Sequence, residues 1–154
     1  MDADASDDIA APAAAQRLYL HIGMAKSGSS YLQSVLATHR PVLREHGYIY
    51  PFVRQEGMFL AAVEMAGHPD FWGLAEDDIQ GTFAALLRRG RRQGGTVVIS
   101  HELFATASAS QIEVIAEQLA EFDVHLVVTA RNASRALTAQ WQEGVKNGDP
   151  KSFE

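Results

Sequence analysis

Leu18-Tyr19-Leu20-His21-Ile22-Gly23-Met24-Ala25-Lys26-Ser27-Gly28-Ser29-Ser30-Tyr31-Leu32-Gln33-Ser34-Val35-Leu36 is the stretch that decides the fold. Its first five residues are an apolar run that predicts a buried strand, and Tyr31 to Leu36 open a helix. The loop between them is rich in glycine and serine. A loop of this kind between a strand and a helix is a phosphate cradle. Its backbone N–H groups turn inward, and the positive end of the helix dipole favours an anion. Lys26 adds a full positive charge to it.

The place of the lysine separates two phosphate chemistries. Gly23 and Gly28 have the spacing of a Walker A loop, G-x-x-x-x-G-K-[ST], but position 29 is serine and the lysine lies three residues earlier. A P-loop small-molecule kinase is therefore the disfavoured reading of the loop. A second segment bears on the choice. Val124-His125-Leu126-Val127-Val128-Thr129-Ala130 is apolar and rich in β-branched residues, which predicts a strand. It ends in Arg131-Asn132-Ala133-Ser134-Arg135, ahead of a helix that carries Trp141. An arginine where a parallel strand gives way to a helix lies at the carboxyl edge of the sheet, where ligands of open α/β folds bind.

Strands and helices alternate along the rest of the chain. Pro41 opens a short helix through about His46, and Tyr48-Ile49-Tyr50 is a strand stopped by Pro51. Met58 to Ala66 reads as a helix closed by Gly67, 68–73 as a loop, and Ile79 to Arg89 as an amphipathic helix. Thr96 to Ser100 is a buried strand. Ser110 is expected to cap a helix to about Phe122, with Glu113 completing a capping box. The last helix runs to about Lys146, and Gly148-Asp149-Pro150 is a turn. This order predicts an open, mainly parallel sheet flanked by helices on both faces. Gly23, Ser100 and Ala130 would then share one rim, with Lys26, His101, Glu102 and Arg131 on it.

Composition sets the bounds. A chain of 154 residues suffices for one domain with a real core. Residues 1–16 are Asp- and Ala-rich and are expected to be a disordered acidic tail, leaving 17–154 as the domain. The net charge is −6, and Asp2, Asp4, Asp7 and Asp8 lie in that tail, so the remainder is only mildly acidic. No nucleic-acid partner is expected, because Arg88-Arg89-Gly90-Arg91-Arg92 reads as the solvated end of a helix. No apolar run approaches the ~18 residues of a membrane span, and the N-terminus does not read as a secretory signal. The absence of cysteine excludes disulfides and thiolate metal sites and suits a cytoplasmic protein.

Lys26 to Ser30, K-S-G-S-S, resembles the 5′-phosphosulfate loop of sulfotransferases, usually written P-K-[ST]-G-[ST]-[ST], with Ala25 in the place of the usual proline. Arg131-Asn132-Ala133 resembles the arginine motif of the same enzymes. With Gly47-Tyr48-Ile49-Tyr50-Pro51 and Trp141-Gln142-Glu143, these segments resemble a bacterial sulfotransferase-like family from about Arg17 to the C-terminus. The resemblance implies a P-loop-type three-layer sandwich. It also implies sulfuryl transfer from PAPS (3′-phosphoadenosine 5′-phosphosulfate), with PAP as product and no metal. Lys26 is then the catalytic cation. Ser27, Gly28, Ser29 and Ser30 bind the 5′-phosphate, and Arg131 binds the 3′-phosphate together with a serine eight residues on. That eighth position is Ala139, so Thr138 or Ser134 supplies the nearest hydroxyl. Domains of the family are usually longer than this chain, which implies an incomplete or reduced member.

The acceptor is expected to be a hydroxyl or amine of a small molecule or carbohydrate, and it needs a general base on the rim. Glu102 and His101 are the candidates, with Glu56 third. Adjacent residues leaving a strand point opposite ways, so one of the first two is expected to face the cleft. His21 reads as a core histidine with its ring satisfied, and Trp141 with Ala136, Leu137 and Val145 as a packed helix face. A non-catalytic nucleotide-binding or interaction domain is the alternative to an enzyme.

Overall fold

The structure is a computed structural model and describes residues 15–146 and 148. In chain order the elements are β1 (Gln16–His21), α1 (Ser29–Thr38), α2 (Arg40–Glu45), β2 (Tyr48–Ile49), α3 (Gly57–Ala66), α4 (Glu76–Ile79), α5 (Thr82–Gln93), β3 (Thr96–Ser100), α6 (Ala109–Leu119), β4 (Phe122–Val127) and α7 (Ala133–Lys146). Short 3₁₀ turns cover Pro69–Trp72 and Glu102–Thr106. The four strands form one open parallel sheet in the order β2-β3-β1-β4. This is the expected α/β arrangement of a parallel sheet with flanking helices.

Alternation along the strands sorts the layers. Leu18 and Leu20 of β1 pair in register with Val97 and Ile99 of β3 and point to one face. There they pack into a core with Ala61, Ala62 and Met65 of α3, Phe83, Leu86 and Leu87 of α5, and Ile115 and Leu119 of α6. The connection from β1 to β2 runs the opposite way along the sheet from those that follow β2 and β3. Right-handed crossovers then put α1 and α2 on the other face. The direction reverses between β1 and β3. In open α/β sheets the crevice outside the strand ends at such a reversal is the ligand site.

Several local expectations are corrected. The helix expected over Ile79 to Arg89 is broken after Ile79 and restarts at Thr82, running on to Gln93. The cause is tertiary: the Glu64 carboxylate of α3 accepts from the N–H groups of Gly81 (2.6 Å) and Phe83 (2.8 Å), capping a new N-terminus. α6 is capped by Ser108 and Gln111, not by Ser110 and Glu113. The Ser108 hydroxyl accepts from the Gln111 N–H, and the Gln111 side chain accepts from the Ser108 N–H at 2.8 Å. β4 starts two residues early, at Phe122, and leaves the sheet after Val127. β1 begins at Gln16, inside the expected tail, and residues 1–14 lie outside the described residues. Residues 68–73 hold a 3₁₀ turn rather than an irregular loop. Of the expected terminal turn, Asp149 and Pro150 lie outside the described residues.

The apolar stripe of α7 is not core. Leu137 is 62% exposed, and Val145 and Trp141 are exposed as well. Val124 and Leu126 of β4 are also exposed and border an apolar groove against α6. Among the described residues no helix is long and apolar enough to cross a membrane.

Candidate active site

The rim at the reversal is built around a contact between backbones. Gly23 leaves β1 with φ +81°, and Glu102 follows β3 directly across from it. A Cβ on Gly23 would lie 2.6 Å from the Glu102 Cβ and 2.9 Å from its Cα. Only glycine allows the two strand ends to come this close. Beyond Gly23 the chain is latched to the end of β4: the Met24 N–H donates to the Thr129 carbonyl (2.9 Å), and the Thr129 N–H donates to the Gly23 carbonyl (3.1 Å). The loop then makes a tight turn in which the Ser27 N–H donates to the Met24 carbonyl. Lys26 sits in that turn with φ +62°, a left-handed conformation that non-glycine residues seldom adopt. Gly28, at φ +96°, precedes α1 and is exposed, with nothing within 4 Å of the position a Cβ would take. The first turn of α1 carries no acidic residue of its own; the carboxylate beside it is that of Glu102.

The loop serines divide. The Ser27 hydroxyl donates to the Met24 carbonyl at 2.5 Å and lies 2.7 Å from the Thr129 hydroxyl. Ser29 is buried, and its hydroxyl bonds to the Glu102 carboxylate. Ser30 is exposed and faces a cleft. Direct hydroxyl donation by Ser27 to a bound phosphate is thus not the arrangement seen. Its proton is held by the loop itself.

That proton fixes the direction of a longer chain. Because Ser27 donates to Met24, Thr129 must donate to Ser27, and His21 Nε2–H then donates to Thr129 at 3.0 Å. His21 Nδ1 in turn accepts from the Ser100 hydroxyl at 2.7 Å. His21 and Ser100 are buried, so the chain ties the ends of β1 and β3 to the loop through a satisfied core histidine, as the sequence suggested. Burial holds His21 below its ordinary pKa, with the Glu102 charge opposing.

The two base candidates have different surroundings, His101 as the N-cap of a 3₁₀ turn and Glu102 as its first residue. His101 lines the cleft, about 430 Å³ in volume, together with Ser30, Gln33, Arg40, Phe52 and Glu56. Its Nδ1 accepts from the Leu103 N–H at 3.3 Å, so neutral His101 carries its proton on Nε2 and has no lone pair free for a substrate proton. Burial lowers its pKa and Glu102 opposes this. Glu102 faces the loop. Burial alone would push its carboxyl up. The Gln33 side chain, which donates to Oε2 at 2.8 Å, outweighs that together with a backbone N–H, the neighbouring His101 and Ser29, so the carboxyl is held below its ordinary value. Glu102 is therefore an ionised acceptor beside the cradle. Glu56 lines the same cleft and precedes α3 with φ +55°.

On the β4 side, Arg131 is exposed, and its Nη1 donates to the Lys26 carbonyl at 3.4 Å, bringing the two sequence motifs together. Ser134 and Thr138 are exposed on α7, and the Thr138 hydroxyl donates to the Ser134 carbonyl at 2.9 Å, the ordinary bond of a helical threonine. The Asn132 side chain accepts from the Ser134 N–H and caps the start of α7. Sequence reasoning missed Thr129, Gln33 and Asn132. A threonine at the end of an otherwise apolar strand was the available sign for the first. Among the described residues no group of three or more His, Asp and Glu side chains is placed to hold a metal ion.

Against protein-family models, curated proteins and solved structures alike, the chain finds no match.

Proposed function

We propose that the protein is a PAPS-dependent sulfotransferase of P-loop type that transfers a sulfuryl group to a hydroxyl or amine. The observation that carries this reading is the contact between Arg131 and the Lys26 carbonyl. It makes neighbours of a loop suited to a 5′-phosphosulfate and a cation suited to a 3′-phosphate, on the rim where the sheet reverses direction. The donors suited to a polyanion are Lys26, Arg131 and the N–H groups at the start of α1.

In this reading the acceptor reaches from the cleft past Gln33, whose side chain bonds the Glu102 carboxylate, and Glu102 accepts the proton of the attacking O–H or N–H as the acceptor forms its bond to sulfur. Lys26 and the first N–H groups of α1 stabilise the charge left on the 5′-phosphate oxygen when its bond to sulfur breaks. Gln33 and Ser29 orient the Glu102 carboxylate, and His101 Nε2–H is a donor facing the acceptor. The hydrogen-bond chain from Ser100 to Ser27 holds the loop in shape. A kinase remains the weaker reading, since Ser29 occupies the Walker lysine position and its hydroxyl is committed to Glu102.

The test is calorimetric. A 3′-phosphate gives Arg131 a charged partner worth ~1.5–3 kcal/mol, so PAP is expected to bind roughly ten- to a hundredfold more tightly than AMP or ATP. Equal affinities for PAP and AMP remove the assignment.

A further inference from the structure

Next to the cleft with His101 lies a second and larger hollow, about 630 Å³, along the open edge of β2. α2 walls it on one side and the end of α5 on the other, so helices from both faces of the sheet meet across its edge strand. Three guanidinium groups line it, from Arg40, Arg44 and Arg89, against the single acid Glu45. In a chain of net charge −6 this is a local reversal of sign.

Arg40 is held in place. Its Nε donates to the Tyr50 carbonyl (3.2 Å) and its Nη1 to the Ala37 carbonyl (3.0 Å). Its guanidinium stacks between the rings of Tyr50 and Phe52, at 5.2 and 5.0 Å. Arg44 and Arg89 have no ion-pair partner among the described residues and are exposed. Two large rings also stand open to solvent at this hollow: Tyr48 is 41% exposed and Phe52 51%. Three like charges offset by a single acid, Glu45, favour a bound anion. The rings beside them give a flat apolar face on which a ligand ring can lie. The hollow and the cleft share Arg40, Tyr50 and Phe52, so one ligand can run through both.

We propose that the β2-edge hollow is a binding subsite for an acidic saccharide. One sugar ring lies on Phe52 and Tyr48, its carboxylate or sulfate pairs with Arg44 and Arg89, and the chain continues over Arg40 into the cleft. This rests on the sulfotransferase reading for one point only: that the part of the saccharide in the cleft is the acceptor. An acidic peptide is the less favoured ligand. The β2 strand is two residues long and offers little edge for main-chain pairing, whereas the exposed rings suit a sugar face.

The probe is an oligogalacturonate, compared with maltotetraose as a neutral saccharide and oligoglutamate as an acidic peptide, by calorimetry on the full chain. Each titration is run with wild type, Arg44→Ala/Arg89→Ala, Phe52→Ala, and Arg88→Ala/Arg92→Ala. The last removes the same charge from exposed sites outside the hollow. PAP affinity is measured separately on every variant. The oligogalacturonate is expected to bind wild type and the Arg88/Arg92 control equally. Binding to Arg44→Ala/Arg89→Ala should be about tenfold weaker, from two partly screened ion pairs, and binding to Phe52→Ala severalfold weaker. Maltotetraose should bind weakly to all. The proposal is overturned if wild type does not bind the oligogalacturonate, if both arginine pairs matter equally, or if oligoglutamate binds as well. Arginine-dependent saccharide binding without PAP binding would keep the subsite and sink the sulfotransferase reading. PAP binding without saccharide binding would do the reverse.

Discussion

Gly23→Ala tests the closest contact on the rim. Two costs follow from the structure. Alanine at φ +81° sits in the left-handed region, at about 1–2 kcal/mol. Its Cβ would also lie 2.6 Å from the Glu102 Cβ and 2.9 Å from the Glu102 Cα. The second of these is backbone, so no side-chain rotation relieves it, and the strand ends must separate at about 1–3 kcal/mol. The expected loss is therefore roughly 2–5 kcal/mol of a total stability of about 5–15 kcal/mol. Gly28→Ala is the internal control: φ is +96°, but its Cβ would meet nothing within 4 Å, so only the backbone cost of about 1–2 kcal/mol applies. Urea unfolding followed by far-UV circular dichroism gives both values. The Gly23→Ala loss should also shrink in a Glu102→Gly background, with a coupling of about 0.5–3 kcal/mol, because the Cβ overlap is gone. If Gly23→Ala loses no more than Gly28→Ala, or shows no coupling to position 102, the packed rim is not as described.

Three further outcomes are expected. Lys26→Ala relieves a left-handed turn residue of its side chain without touching the core, so the melting temperature should hold while sulfuryl transfer is abolished; unchanged turnover would remove the lysine from the chemistry. Glu102→Gln should slow transfer by ~10²–10⁴-fold with PAP affinity little changed, whereas His101→Asn should act more weakly, since the His101 lone pair is held by the Leu103 N–H; the opposite ranking would exchange their roles. Burial lowers both His21 and His101 below their ordinary pKa of 6.5, so below about pH 6.5 the unfolded chain binds more protons than the folded one. Stability should fall as the pH drops from there and level off once the folded histidines are also protonated. The slope should be shallower in His21→Asn, and an unchanged slope in both His21→Asn and His101→Asn would refute the buried neutral rings.

Much of this protein is local enough to read from the chain. An apolar run followed by a Gly- and Ser-rich loop and a helix start is set by residues 18–36 alone, and the structure has β1, the loop and α1 in that order. The parallel sheet follows from the alternation of short apolar runs with helix-length segments, which leaves crossovers as the only connection. The basic end of α5 could be placed by composition as well.

Contacts between distant residues decided the rest. The break before α5 combines Gly81, left-handed at φ +77°, with a carboxylate 17 and 19 residues upstream in sequence, and only the glycine is visible within Ile79 to Arg89. The Ser27 proton is held by the Met24 carbonyl within the loop, while Thr129, 102 residues away, fills the acceptor side of the same hydroxyl. The glycine at position 23 is legible as a turn residue, but its reason is the Glu102 backbone pressed against it, a packing fact that exists only once β1 and β3 lie side by side. Sequence determines which groups are present and what each segment prefers. Which donors remain free for a ligand is settled only when every buried polar group has found its partner in three dimensions.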